Sequence, residues 1–255
     1  MEKVDKLKKI FSKEKIDGYI VPKNDQFFSE YIPDHNDRLK FLSNFSGSYG
    51  FALILKNKNY LFVDGRYTLQ AINQCGKSFK IITIPERIPS DILLGKKFII
   101  GFDSTLFTKR FLSVFFGKNK CKFKPLTNNL IDIIWKRKIK YNNNKFFALP
   151  KKSVSEKYQS KIGKIVKYLI NTKAEYLFIT ASENNAWLMN IRGRDEKYTP
   201  IPHSYILIDK YKNIKFFCDL KKISQSFRSK FKEIDFLDIN KCSKILQEIK
   251  NKNFL

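Results

Sequence analysis

The sequence predicts an α/β protein made of two consecutive domains, each with a mixed sheet flanked by helices. Three observations carry that prediction. Strand-length apolar runs alternate with amphipathic helical stretches along the 255 residues. Two pairs of apolar runs are separated only by short polar turns, at 56–59 and 210–213, which argues for antiparallel hairpins inside a βα pattern. A Lys- and Asn-rich stretch at 138–153, with Asn142-Asn143-Asn144 and Pro150, interrupts the pattern, and the second half then repeats the grammar of the first. The expected domains are 1–140 and 150–255, the second incomplete at its C-terminal end and so left with an exposed sheet edge.

The elements follow in order. Residues 2–15 place Val4, Leu7, Ile10 and Phe11 at helical spacing among lysines. Residues 18–22 form a short buried strand ending at proline. Residues 51–55 and 60–63 are the first hairpin, after which Asp64-Gly65 turns the chain into a helix carrying Tyr67, Leu69 and Ala71. Strands follow at 80–84 and 98–102, then a helix near 108–116, whose Phe111, Leu112, Phe115 and Phe116 read as core packing, and a strand near Phe123. In the second half a long helix over 153–172 leads to a strand at 176–180 and a helix over 184–190. Strands at 205–208 and 215–218 form the second hairpin. A further helix, a strand at 234–237 and a closing helix from about 240 complete the chain.

Composition excludes several classes. At 43% hydrophobic and 15% aromatic the chain can bury a core, which argues against disorder. No run approaches the roughly 18–20 apolar residues of a membrane span. The N-terminus, MEKVDKLKKIF, is charged throughout and lacks an apolar signal region, so the expected location is cytoplasmic. The net charge of +26 comes from 50 Lys and Arg, of which only 8 are Arg, spread along the chain among abundant Asn, Ile and Phe. That is the signature of an AT-rich coding sequence. It implies salt-sensitive sticking to polyanions, with no specific nucleic-acid partner. Cys75, Cys121, Cys218 and Cys242 have no metal-ligand spacing and read as free thiols.

No Walker A, GxGxxG, HExxH or GxSxG sequence is present, and the two histidines, His35 and His203, are far apart. The polar residues that stand out sit in turns. Asp64-Gly65-Arg66-Tyr67 could present a guanidinium to a peptide carboxylate, although the residue chemistry favours Asp64 as a helix cap and Arg66 as an ion pair tying two loops together. Beyond Trp187, read as a core partner of Ile191 at helical spacing, Arg192 and Asp195 suggest a loop-fixing network. His35, between Asp34 and Asp37 and followed by Arg38, reads as a structural loop rather than a relay or metal site.

Together these segments resemble one family, the aminopeptidase P (Xaa-Pro aminopeptidase) branch of the creatinase/pita-bread metallopeptidases. The resemblance is carried by Asp17-Gly-Tyr-Ile-Val-Pro22, Ser29-Glu-Tyr-Ile-Pro33, His35-Asn-Asp-Arg38, Phe45-Ser-Gly-Ser48, Val63-Asp-Gly-Arg-Tyr67 with Gln70-Ala71, the stretch from Ile131 to Trp135, Ala186-Trp-Leu188, Asn190-Ile-Arg-Gly193, Asp195, Tyr198 and Pro200. It implies two creatinase-N-like domains, with the C-terminal pita-bread catalytic domain absent from this chain. In the family that domain holds two divalent metals, typically manganese, on two Asp, one His and two Glu, and cleaves Xaa-Pro peptides. No such ligand set can be carried onto residues 1–255, so no metal or cofactor is expected in this chain and it should be inactive alone. The expected role is shaping substrate access, with Arg66, Tyr67, Arg192 and Asp195 at the entrance, His35, Arg38 and Asp64 as structural loop residues, and a homo-oligomer among the possible partners. A peptide- or protein-binding module and an inactive gene remnant are the alternatives. The family's proline-rich stretch after Trp135 is replaced by Lys and Asn, and Arg194 stands where a small residue is usual.

Overall fold

The computed structural model describes residues 2–137 and 143–255. The chain divides into two compact units, residues 1–140 and 141–255. Part of the expected boundary stretch, residues 138–142, lies outside the described residues.

The first unit runs α1 (Glu2–Glu14), β1 (Gly18–Pro22), α2 (Arg38–Ser43), β2 (Gly50–Leu55), β3 (Asn59–Asp64), α3 (Thr68–Cys75), β4 (Lys80–Ile84), α4 (Pro89–Leu93), β5 (Ile99–Phe102), α5 (Lys109–Phe116), β6 (Lys122–Pro125) and α6 (Leu130–Ile134). Its six strands lie in the order β4-β3-β2-β1-β5-β6. The β1–β2 and β2–β3 pairs are antiparallel and the other three are parallel.

Both sheet faces are covered, and side-chain alternation along the central strands shows how. Tyr19, Val21, Ala52, Ile54, Leu61 and Val63 point to one face, where Val4, Leu7 and Phe11 of α1 meet Leu130 and Ile131 of α6. Ile20, Phe51, Leu53 and Phe62 point to the other, against Leu93 of α4 and Phe116 of α5. Phe51 stacks on Phe62 with ring centroids 5.0 Å apart. Burying a side chain of that size contributes about 2–3 kcal/mol. Phe111, Leu112 and Phe115 pack against the same cluster from α5.

The second unit contains β7 (Phe147–Ala148), α7 (Tyr158–Asn171), β8 (Tyr176–Ile179), α8 (Ser182–Met189), β9 (Ile191–Arg192), β10 (Tyr205–Asp209), β11 (Ile214–Cys218), α9 (Gln225–Lys230), β12 (Ile234–Asp238) and α10 (Cys242–Glu248). Its main sheet has the order β12-β11-β10-β8, the topology of β4-β3-β2-β1 in the first unit: two antiparallel pairs followed by a parallel one. Ile206, Ile208, Phe216 and Phe236 face α7, α8 and α9, and Leu207 and Phe217 face α10.

Three details differ from expectation. The long helix begins at Tyr158, not at 153, because a separate 3-10 turn occupies Lys151–Ser153. Trp187 and Ile191 are not a core pair. The α8 helix stops at Asn190, whose left-handed backbone (φ 54°) turns the chain, so Ile191 enters β9 and is buried while Trp187 is 61% exposed. Three short helices, α2, α4 and α6, and the β7–β9 ribbon appear where the sequence pattern marked no element.

Candidate functional site

The polar turns of the first unit are held by local hydrogen bonds and long-range ion pairs. Asp64 ends β3 in extended backbone and accepts the Arg66 N–H at 3.0 Å, capping the 3-10 turn Gly65–Tyr67 rather than α3. The Arg66 guanidinium folds back on the same carboxylate, Nη2 to Oδ2 at 2.7 Å, so its ion pair closes its own turn and does not join two loops. That hydrogen bond holds the Asp64 carboxyl below its ordinary range. The Arg66 side chain remains 72% exposed and lies over the Tyr67 ring. What ties this turn to the 45–49 loop is Tyr67: its hydroxyl meets Ser48 Oγ at 2.7 Å and its ring stands edge-on to Phe45.

The loop between β1 and α2 is fixed more deeply. Asp25 is fully buried and accepts the Phe27 and Ser29 N–H groups and the Ser29 hydroxyl. Lys23 and Asp37 form a buried pair at 2.5 Å, and Asp37 also caps α2 through the Lys40 N–H. Arg38 reaches Asp132 on α6 at two points, and Arg137 bridges Asp132 to the His35 carbonyl.

In the second unit, residues 190–204 form a folded-back turn. The Gly193 and Asp195 N–H groups donate to the Pro200 and Ile201 carbonyls. Gly193 is required by close approach, since a Cβ there would lie 2.7 Å from Pro202 Cα. Arg192 and Asp195 go to different partners. Arg192 donates to the Ala186 and Ile191 carbonyls, and the buried Asp195 pairs with Lys222 and accepts the His203 N–H. His203 Nε2 stands 3.8 Å from Glu196, whose other oxygen accepts the Thr199 hydroxyl.

The Arg38–Asp132–Arg137 and Asp195–Lys222 groups were not legible in the sequence. Their members are far apart along the chain, and nothing in either local pattern points to the other. The carboxylates of these turns are engaged by cations or backbone N–H groups, an arrangement that holds loop shape rather than moving protons. Among the described residues no three His, Cys, Asp or Glu side chains gather as a metal centre would require. Among them, too, no helix is long and apolar enough to cross a membrane.

Fold and turns define a tandem of mixed-sheet α/β domains with shaped, solvent-facing loops. The sequence profile described as "Creatinase/Prolidase N-terminal domain" matches residues 3–134, and a second profile of the same description matches 137–255. The chain belongs to the creatinase/prolidase N-terminal domain family. It is 33% identical over 218 residues to a protein named "Probable Xaa-Pro aminopeptidase P" in Laccaria bicolor, covering 81% of this chain and 34% of that one. It is 29% identical to Xaa-Pro aminopeptidase app-1 of Caenorhabditis elegans, covering 91% of this chain and 40% of that protein. The crystal structure of a C. elegans X-prolyl aminopeptidase, described as a cytosolic enzyme with a di-nuclear active site, matches 98% of this chain and 45% of its own with a TM-score of 0.89 and 26% identity. The matched part of the chain therefore spans 34% and 40% of the length of these two curated relatives, and the resemblance to aminopeptidase P holds along both halves.

Proposed function

We propose that this chain is the non-catalytic N-terminal part of a proline-specific metalloaminopeptidase, shaping access to a catalytic centre carried by a further domain. One observation carries the reading: two creatinase/prolidase N-terminal domains in tandem fill the chain, and its relatives are Xaa-Pro aminopeptidases of which it matches only 34–40% of the length. The metals, manganese by family resemblance, belong to that further domain, and the location is cytoplasmic, as described for the C. elegans enzyme. Exposure supports Arg66 as an entrance residue that meets peptide, with Asp64 holding the guanidinium in place, and the half-buried Tyr67, its hydroxyl on Ser48, completes the entrance beside it. Arg192 and Asp195 are positioning residues that hold the 190–204 turn.

The test has two arms. The chain alone, with manganese and an Xaa-Pro tripeptide, releases no N-terminal residue; hydrolysis would overturn the non-catalytic assignment. Exchanged for the matching segment of the C. elegans enzyme, it yields an active chimera in which Arg66→Ala raises KM more than it lowers kcat. An inactive but folded chimera would overturn the shaping role. Tripeptide binding by the chain alone, without hydrolysis, would make it a binding module instead.

A further inference from the structure

One surface of this lysine-rich chain carries no charge. No charged residue occurs between Lys40 and Lys56 or between Arg66 and Lys77, although the net charge is +26. The fold lays these two stretches side by side. Ser46 Oγ accepts the side-chain amides of Gln70 at 2.9 Å and Gln74 at 2.8 Å, and the Ser46 N–H donates to Gln74 Oε1 at 2.8 Å. With the Ser48–Tyr67 hydroxyl contact, these bonds fix the 44–49 loop against α3.

The outward face of α3 is apolar. Ala71 and Cys75 turn inward to the core. Leu69 and Ile72, three residues apart and so on one side of the helix, are 78% and 52% exposed. Tyr49 on the adjoining loop and Asn73 on α3 are exposed as well. Because Ser46, Gln70 and Gln74 bond one another, covering this surface strands few polar groups without partners. The Asp64–Arg66 pair lies just before α3 and Lys77 just after it.

The second unit is an internal control. Lys161 on α7 donates to the Trp187 carbonyl and Asn190 Oδ1 as Lys3 on α1 donates to the Phe41 carbonyl and Asn44 Oδ1, so the two units repeat in detail. The α9 helix follows β11 as α3 follows β3, each after a 3-10 turn capped by an aspartate, Asp219 or Asp64. There the outward residues are Gln225, Ser226, Arg228, Ser229 and Lys230, and Phe227 is buried. The shared topology thus accepts a polar, charged exterior at this position. The bare apolar face of α3 is a property of its own sequence.

We propose that this face pairs with its own image on a second copy of the chain. The two α3 helices run antiparallel about a two-fold axis, with Leu69 of each against Ile72 of the other. Charge selects that occupant. An acidic partner or a polyanion is drawn to the lysine-bearing faces and finds no attraction here. Two copies meeting through those faces would set lysine against lysine. This face brings no charge to the centre of the contact, as the cores of protein interfaces do not. In the antiparallel register Lys77 of one copy comes level with Asp64 of the other, so the rim charges meet with opposite sign. The inference needs neither metal nor peptide and goes beyond the aminopeptidase reading.

Sedimentation equilibrium of the full chain, from about 1 to 200 µM, tests it. A monomer–dimer equilibrium is expected. It should tighten as salt rises from about 0.1 to 0.5 M, because screening relieves the net repulsion between copies. Leu69→Lys and Ile72→Lys should each weaken association roughly tenfold or more, while Val114→Lys, at an exposed position on α5, leaves it unchanged. Urea midpoints of the three variants, expected to match the parent, serve as the folding control. A dimer that both α3 variants leave intact, that Val114→Lys disperses equally, or that loosens with added salt overturns the proposal. A monomer throughout the range also overturns it and leaves the face to a different partner.

Discussion

The Arg38 guanidinium and the Asp132 carboxylate meet at two points, Nε to Oδ1 and Nη2 to Oδ2, each at 2.8 Å. Arg38 opens α2 and Asp132 lies on α6, so a planar fork joins the loop after β1 to the helix that covers α1. Only 8% of the Arg38 side chain is exposed, which places its charge where water cannot replace a lost partner. Asp132 also holds Arg137, and Arg137 holds the His35 carbonyl, so one carboxylate organises the whole loop.

Removing the fork should therefore cost more than a surface pair would. Arg38→Ala is expected to lower the stability of the first unit by about 2–3 kcal/mol, less than for a fully buried pair because Asp132 keeps Arg137. Arg38→Lys restores the charge without the two-point geometry and recovers only part of the loss. Urea unfolding of the full chain checks this, and an unchanged midpoint for Arg38→Ala would contradict it.

Two glycines predict opposite outcomes for one substitution. A Cβ at Gly18 would lie 2.6 Å from Leu55 Cδ2 and 2.8 Å from the Ile54 carbonyl oxygen, in the middle of the sheet. Gly18→Ala is expected to destabilise by about 1–3 kcal/mol through forced shifts in a close-packed core. Gly163 sits inside α7 with nothing within 4 Å of its would-be Cβ. Gly163→Ala is expected to stabilise by about 0.5–1 kcal/mol, since alanine loses less backbone entropy in a helix. Thermal unfolding of the two variants should move the midpoint in opposite directions.

What was legible in the sequence is what local pattern encodes. Phe51 and Leu53 alternate with Ala52 and Ile54, which marks a strand buried on both faces, and the polar turn after it marks the hairpin. The six-residue α2 was not legible, because it is too short to show a period and is set by its Asp37 cap and the Arg38–Asp132 pair. The environment of Trp187 was not legible either. Its spacing to Ile191 is helical, but Asn190 leaves the helix between them, and the spacing then means nothing. The Asp195–Lys222 pair joins residues far apart in sequence, and only the fold brings them together.

The thiols give a chemical check on burial. Burial pushes Cys75 and Cys242 up to about 11 and raises Cys218 as well, so all three stay neutral and shielded near pH 8. Burial raises Cys121 too, and what sets it apart is that it is only partly covered, so a reagent can reach it. A colorimetric thiol reagent at pH 8 should modify Cys121 rapidly and the other three only in denaturant. The sign of the pH effect follows from the raised values. Their stability contribution is complete below the ordinary thiol value of 9.0 and is lost as pH rises toward 11. Rapid reaction of two or more thiols in the folded chain would refute this.

Lys161 makes a prediction in the opposite pH direction. Its side chain is buried in α7, its ammonium donates to the Trp187 carbonyl and to Asn190 Oδ1, and desolvation is the first cause that lowers its proton affinity. A lysine whose folded value is depressed binds fewer protons than the unfolded chain does. Holding its proton in the folded chain therefore offsets part of what its hydrogen bonds contribute at neutral pH, and that penalty fades as pH rises through the depressed value toward the ordinary 10.5. Lys161→Met removes that titration, so the alkaline loss of stability should be steeper in the variant than in the parent. At neutral pH the variant also leaves two acceptors at the end of α8 without their donor, and a net loss of about 2 kcal/mol is expected. Lys3→Met, at the more exposed counterpart, should cost about half as much. Urea midpoints of parent and both variants, measured from pH 7 to 10, decide the matter: equal losses for the two lysines, or parallel pH profiles for parent and Lys161→Met, would show that burial of Lys161 carries no energetic weight.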